Sequence, residues 1–464
     1  MSSALGILIR FFYIPITTME NKQNTGLDYA NGKVSSLFSK LFFPTLLGLI
    51  FNALITIVDG IFVGQGVGAD GIAAVNIIAP LYMVVTGTGL MFGIGSSVVA
   101  GISIAQSSNR KAAICVTQAC VFCSALMLIL LSIFVTFPVA IAKMLGCSDD
   151  LMPHALDYFI WLIPGMFFLC FECIGMMVIR LDGSPKYAMF CNIIPAVTNI
   201  VLDYLFIFPL GMGVKGAAIA TSASIAIGGI MVLIYFLKFS YVIKFVWSAK
   251  EFFTNIWRQA RIGSSAFITE IAMSIMMLTG NYMFMKYYGD AGVASFSISC
   301  YLFPVIFMMS NAVAQSAQPI ISYNYGAHAL MRVSQAFRLS IKVAIVCGLI
   351  SFVSIALFSK EIVTMFIAPD CEAGKLAIDG LPIYSICALF FAVNISFIGY
   401  YQSIENAIKA MVFTLVRGVF VLVPMFYILP IIYGVVGLWA AIPASELFAL
   451  ILIIADFYLF RKSH

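Results

Sequence analysis

Long uninterrupted apolar runs, separated by short polar breaks, fill most of this chain and leave it very few possible folds. Of its 464 residues, 62% are hydrophobic and 10% charged, against about 25% charged in ordinary soluble domains. Mean hydropathy is +1.06. A helix crosses a bilayer with roughly 20 apolar residues. Backbone inside hydrocarbon must satisfy its own hydrogen bonds, which leaves helices or a closed barrel. A barrel needs short segments of alternating polarity; these runs are continuous, so helices are expected. Twelve transmembrane helices are read near 38–63, 72–104, 112–140, 154–179, 187–208 and 214–237, then 263–287, 293–322, 337–358, 376–402, 407–430 and 434–459. The expected fold class is an all-α polytopic membrane protein.

The chain also repeats itself. Pro209 and Pro430, Gly213 and Gly434, and Gly216 and Gly437 share one offset (430 − 209 = 221), and so do Gly68 and Gly289, and Lys111 and Arg332. A fixed offset of nearly half the length, in so apolar a chain, predicts a duplicated membrane domain with a transport site between its halves. Six spans per half is an even number, so both halves enter from one side. The repeat is parallel, a pseudo-twofold about the membrane normal.

The expected organisation is an N-terminal cytoplasmic segment (1–37), an N-lobe (38–237), a cytoplasmic amphipathic linker (238–262) and a C-lobe (263–464). Lys238, Lys244, Lys250, Arg258 and Arg261 on an aromatic background give the linker its interfacial character. With the N-terminus inside, outer loops and span ends carry only Lys143, Lys215, Lys286, Lys360 and Lys375 of the 25 basic residues. That asymmetry follows the positive-inside rule. It predicts a multi-pass protein of the cell inner (plasma) membrane with both termini cytoplasmic. The net charge of +5 belongs to loops and implies no nucleic-acid partner. Residues 1–18 are apolar around Arg10 without a small-residue cleavage site, so no secretory signal is expected, and Met19 is an alternative start. The 11 cysteines sit mostly inside apolar runs; Cys120-x-x-Cys123 and Cys170-x-x-Cys173 lack nearby histidines and read as packing residues.

Carboxylates inside spans cost about 2.5–3.5 kcal/mol each on insertion scales, so each needs a partner or a purpose. Asp59, Glu172, Asp203 and Glu270 qualify. At about 1.5 Å per helical residue, Asp59 lies roughly 9–13 Å below the turn near Gln65–Gly68, Asp203 about 12 Å below Gly211, and Thr221 about 9 Å beyond Lys215. Asn199, four residues before Asp203, shares its helical face. Two carboxylates, an amide and a hydroxyl at one depth make a candidate Na⁺ or H⁺ site, since oxygen ligands suit hard cations and neighbouring carboxylates raise each other's proton affinity. The alternative is that each acid bonds locally to a neighbouring helix. Glu172 and Glu270 read as substrate-facing, proton-carrying or structurally paired, and Arg417 as the only deeply placed basic residue. Met273, Met276, Met277, Met283, Met285, Met308 and Met309 are either a yielding ligand surface or ordinary core. Pro44, Pro80, Pro164, Pro195, Pro304 and Pro382 mark candidate kinks.

Several segments together resemble one family. Val58-Asp59-Gly60-Ile61-Phe62-Val63-Gly64 with Ala74-Val75-Asn76 and Pro80 is similar to the first two helices of the multidrug and toxic compound extrusion (MATE) family. Arg180-Leu181-Asp182-Gly183, Asn199 to Asp203, and Gly213-Val214-Lys215-Gly216-Ala217-Ala218 resemble its next landmarks. Gln315, Gln318-Pro319 and Asn324-Tyr325-Gly326 resemble its eighth helix. The resemblance covers about residues 36–460. It implies two six-helix lobes in a V around a central cavity, and antiport of organic, often cationic, compounds against Na⁺ or H⁺ without a further cofactor. It also implies small-molecule drugs or toxic compounds as partners, the bilayer as environment, and a monomer rather than an enzyme. Asp59, Asn199, Asp203 and Thr221 match the family's N-lobe cation ligands, with Glu172, Glu270, Asn76 and Gln315 as further coupling or substrate-binding candidates. Glu270 matches the helix 7 acid of a branch that couples through the C-lobe, but the Asp of that branch's helix 10 has no counterpart here, where apolar residues surround Phe391. The alternative is a lipid-linked oligosaccharide or lipid flippase of the same superfamily; embedded acids and twelve spans favour the exporter.

Overall fold

The computed structural model describes residues 27–462, and every regular element among them is helical. The readings at residues 1–18, including the choice between Met1 and Met19, lie outside the described residues. The helices are α1 (Val34–Gly66), α2 (Ala69–Ala105), α3 (Asn109–Thr136), α4 (Pro138–Met144), α5 (Met152–Leu181), α6 (Pro185–Ile207) and α7 (Gly213–Ile234). After a π-turn at Tyr235–Phe239 come α8 (Phe252–Gly326), α9 (Leu330–Leu357), α10 (Ser359–Phe366), α11 (Glu372–Ser385), α12 (Cys387–Ser403) and α13 (Ala407–Leu415). A second π-turn at Val416–Phe420 leads into α14 (Leu422–Tyr433) and α15 (Val435–Lys462). Eleven of the continuous helical stretches are long and apolar enough to cross a membrane.

The duplication is written into the helix ends. Asn109–Thr136 and Leu330–Leu357 are both 28 residues long and stand at the 221-residue offset at each end. The short α4 and α10 follow them at the same offset, each beginning directly after a helix break. α8 is 75 residues long, but its backbone leaves helical geometry at Gly289 (φ 56°, ψ −146°), where two helices meet. Gly68, its repeat partner, holds φ 96°, ψ −164° between α1 and α2. A Cβ at either position would meet nothing within 4 Å. Glycine is therefore required there by backbone conformation, not by space. Gly213 and Gly434 repeat the pattern, with φ of 59° and 56°.

Close helix packing depends on glycine in a different way. A Cβ at Gly95 would collide with the Gln259 carbonyl, and one at Gly263 with the Met91 carbonyl, so α2 and the first arm of α8 cross almost backbone to backbone. Within the first half, a Cβ at Gly165 of α5 would lie 2.6 Å from Ser222 Cα of α7. Small residues at such crossings let membrane helices gain dispersion contacts that lipid does not already supply.

The segment expected as an amphipathic linker, 238–262, divides in two. Residues 240–250 have no helix, while Phe252 onward already belongs to α8. Asp182, at the end of α5, anchors the irregular part. Its carboxylate accepts from the backbone N–H of Tyr241 (2.7 Å), Val242 (2.9 Å) and Ile243 (3.1 Å) and from the Tyr235 hydroxyl (2.8 Å). Burial pushes the Asp182 carboxyl up from its ordinary range, and these four donors pull the other way. Thr117 Oγ1 accepts from Val246 N at 2.9 Å, and Gln118 donates to the Ser248 carbonyl at 2.7 Å. The Arg180-Leu181-Asp182-Gly183 motif thus fixes the connection between the halves.

At the same end, residues 27–33 strap the halves together before α1 begins. The Tyr29 hydroxyl donates to the Arg180 carbonyl at 2.7 Å. Arg332 donates to the carbonyls of Tyr29 (2.9 Å) and Gly32 (2.7 Å) and to Asn324 Oδ1 (2.8 Å).

Candidate functional site

In the first half, α1, α6 and α7 bring Asp59, Asn199, Asp203 and Thr221 to one place. Asp203 and Asn199 are buried on α6; Asp59 and Thr221 are half-buried on α1 and α7. Asn199 and Asp203 share a face because they stand one helical turn apart. The Asp59 and Asp203 side chains meet carboxyl to carboxyl, and Asn199 lies beside Asp203. The Asn199 amide donates to Thr221 Oγ1 at 3.4 Å. Asp59 Oδ1, Asn199 Oδ1 and both Asp203 oxygens are buried, and no donor among the described residues reaches them with hydrogen-bond geometry. Four buried acceptor oxygens with no donor form an electrostatic demand that a proton or a hard cation meets. Tyr158 of α5 lies within electrostatic range of both carboxyls, a neighbour that the spacing of acids in the sequence does not reveal.

Glu172 and Glu270 are both buried and lie apart from that cluster. Glu172, on α5, packs against Gly228 of α7, where a Cβ would come within 2.9 Å of its carboxyl carbon. Tyr82 of α2 lies within electrostatic range of both glutamates. Glu270 opens onto a cavity between the halves, with Leu90 and Ile94 of α2 on one wall and Gln315, Gln318 and Gln402 on the other. Gln315 accepts a 2.7 Å hydrogen bond from Arg180, joining α5 to the second arm of α8. Asn76 is exposed on α2 and is not among the residues lining this cavity.

The second half corrects two sequence readings. Arg417 is buried as read, and so is Arg180 of the first half (1% exposed), which stands in the last turn of α5. The acids inside spans include Glu446 of α15, 4% exposed, which sequence reading passed over. The helix around Phe391 is not wholly apolar, since Asn394 lies one turn further on in α12 and is fully buried. Arg417 Nη1 donates to Glu446 Oε1 at 2.6 Å, and Asn394 Nδ2 donates to Glu446 Oε2 at 2.7 Å. The Arg417 guanidinium stands 4.5 Å from the Phe391 ring centroid. A second small cavity opens beside this pair, lined by Thr269, Met273, Met276, Phe303, Leu422 and Ile442 among others. Of the methionines singled out, Met273 and Met276 reach this cavity, whereas Met283 packs in the core with Phe284 and Phe296. One signal for Glu446 was present: a lone acid in an apolar run between Pro443 and Leu447.

The chain is similar to known proteins over most of its length. The MatE family model matches residues 44–205 and 265–428, one match in each half. The multidrug export protein MepA of Staphylococcus aureus (strain MSSA476) is 25% identical over 417 residues, spanning 88% of this chain and 90% of that protein. MepA of Staphylococcus saprophyticus is 24% identical over 418 residues, with the same coverage. Among solved structures, a MOP superfamily transporter from Pyrococcus furiosus superposes with a TM-score of 0.88 at 21% identity, over 95% of this chain and 99% of that one. An outward-facing multidrug resistance MATE family transporter gives 0.87 at 22% identity with the same coverage. The chain belongs to the MatE family and is a multi-pass membrane transporter, not an enzyme.

Proposed function

We propose that the protein is a secondary active multidrug efflux antiporter that exports organic, cationic or amphipathic compounds in exchange for Na⁺ or H⁺. The observation that carries this reading is the first-half cluster: two facing carboxyls and an amide, four of whose oxygens are buried and meet no donor among the described residues. Asp59 and Asp203 hold the coupling ion, Asn199 supplies a third oxygen, and Thr221 orients Asn199 through their shared hydrogen bond. Na⁺ suits this all-oxygen set, and a proton shared between the two carboxyls satisfies the same demand. No metal or cofactor beyond the coupling ion enters the scheme.

Twelve spans in two lobes, facing each other across a central cavity in the plasma membrane with both termini cytoplasmic, complete the proposed architecture; the transporter acts as a monomer. A compound enters from the inside, the lobes rock, and the ion binds from the outside as the compound leaves. Coupling requires that ion and compound favour different states. Names of the relatives support the substrate class, since MepA is a multidrug export protein. Ethidium efflux from a pump-deficient host tests the reading. Asp59→Asn and Asp203→Asn are each expected to abolish efflux while the protein remains folded in the membrane, and full efflux by both variants would refute the ion site.

A further inference from the structure

The buried pair in the second half has the geometry of an occupied organic-cation site. Glu446 is held in place from two sides of Asn394, whose amide donates to its carboxylate (2.7 Å) and to its backbone carbonyl (2.9 Å). The cation it faces is planar and delocalised, stacked over Phe391, beside a cavity lined by Met273, Met276, Phe303, Leu422 and Ile442. Aromatic faces and polarisable thioethers around one carboxylate are the surroundings that recognise a planar organic cation. Here the cation is Arg417, a residue of the chain itself.

Arg417 is held incompletely. A guanidinium–carboxylate pair is strongest when two parallel N–H groups engage both oxygens. In this pair Arg417 engages one oxygen and Asn394 the other, and buried Arg417 Nε meets no acceptor among the described residues. Arg417 also lies in the π-turn Val416–Phe420, a single-turn insertion of the kind that recurs at functional sites within helices. Thr269 lines both this cavity and the larger one between the halves, next to Glu270, so the two spaces share a wall.

We propose that Glu446, Phe391 and the surrounding cavity form a binding site for a planar organic cation, such as an amidinium or guanidinium head, with Arg417 as its tethered competitor. A bound cation takes Glu446 from Arg417, and Arg417 returns when the ligand leaves. Arg417 then acts as a specificity-determining residue, since only a cation that outcompetes a guanidinium on this carboxylate is accepted. The inference rests on the proposed export of organic cations and adds the site in the second half.

The test uses p-aminobenzamidine, whose amidinium matches a guanidinium in plane and charge, with benzamide as its neutral counterpart. Fluorescence titration of the full-length protein in lipid nanodiscs reads binding. The wild type is expected to bind the cation and not benzamide. Glu446→Gln is expected to weaken p-aminobenzamidine binding by about tenfold or more. Arg417→Lys, a competitor whose head is a tetrahedral ammonium without the planar fork, is expected to strengthen it severalfold. Because Arg417→Ala exposes an unpaired buried acid, its melting temperature supplies a second readout: p-aminobenzamidine should raise it, and should not raise that of Arg417→Ala/Glu446→Gln. Unchanged binding by Glu446→Gln, or weaker binding by Arg417→Lys, overturns the site. If the wild type also binds and exports no ethidium, the organic-cation reading itself fails; if ethidium is exported and Glu446→Gln leaves p-aminobenzamidine binding intact, only this inference fails.

Discussion

The two halves share a backbone plan and differ in how they settle buried charge. In the first half, Asp59 and Asp203 face each other, and among the described residues no positive side chain stands between them and no donor meets their buried oxygens. In the second half, Glu446 is answered from within by Arg417 and Asn394. The polar groups do not follow the 221-residue offset: Asp59 and Asp203 correspond to Gly280 and Pro424, and Arg417 and Glu446 to Ala196 and Ile225. Duplication preserved what the backbone requires and left the chemistry free to diverge. The second half supplies a counter-charge to its buried acid from its own chain, and the first half supplies none to Asp59 and Asp203 among the described residues.

The contrast can be broken most forcefully at Arg417. Arg417→Ala leaves Glu446 buried and unpaired, a change that typically costs about 3–5 kcal/mol. Removing both partners, as in Arg417→Met/Glu446→Leu, is expected to recover most of that loss, because the uncompensated charge is gone. Thermal melting in nanodiscs checks this. A double variant no more stable than Arg417→Ala would mean that the pair does more than neutralise itself.

A smaller effect sharpens the shared side of the comparison. Gly68→Ala and Gly289→Ala both place a Cβ in open space on a backbone that only glycine adopts freely. Each is expected to destabilise by about 1–3 kcal/mol from backbone strain alone. Similar losses of melting temperature at both sites are expected, and a large difference between them would show that the two turns are not equivalent under load.

Much of this was legible in the sequence, for physical reasons that also mark where legibility stopped. Bilayer spans announce themselves through length and apolarity, and glycines with positive φ keep their spacing because no other residue takes that conformation cheaply. Asp59, Asn199, Asp203 and Thr221 could be brought to one depth because helical rise converts position into height. Rotation about each helix axis is not written so plainly. Asn76, at a suggestive position, is exposed, and Tyr158 and Glu446 become neighbours of their partners only through packing between helices. Nor does composition say how the expected linker, 238–262, is built: Asp182 and Thr117 supply backbone donors with acceptors from other helices, so residues 240–250 need no helix of their own.

The central claim is that the first half carries the coupling ion. Ethidium transport by proteoliposomes under imposed Na⁺ or pH gradients tests it most directly, comparing rates with and without the gradient. Asp203→Asn is expected to lose the dependence on whichever gradient drives the wild type. Full gradient dependence in Asp203→Asn, with its loss in Glu446→Gln, would contradict the account and move the coupling ion to the second half.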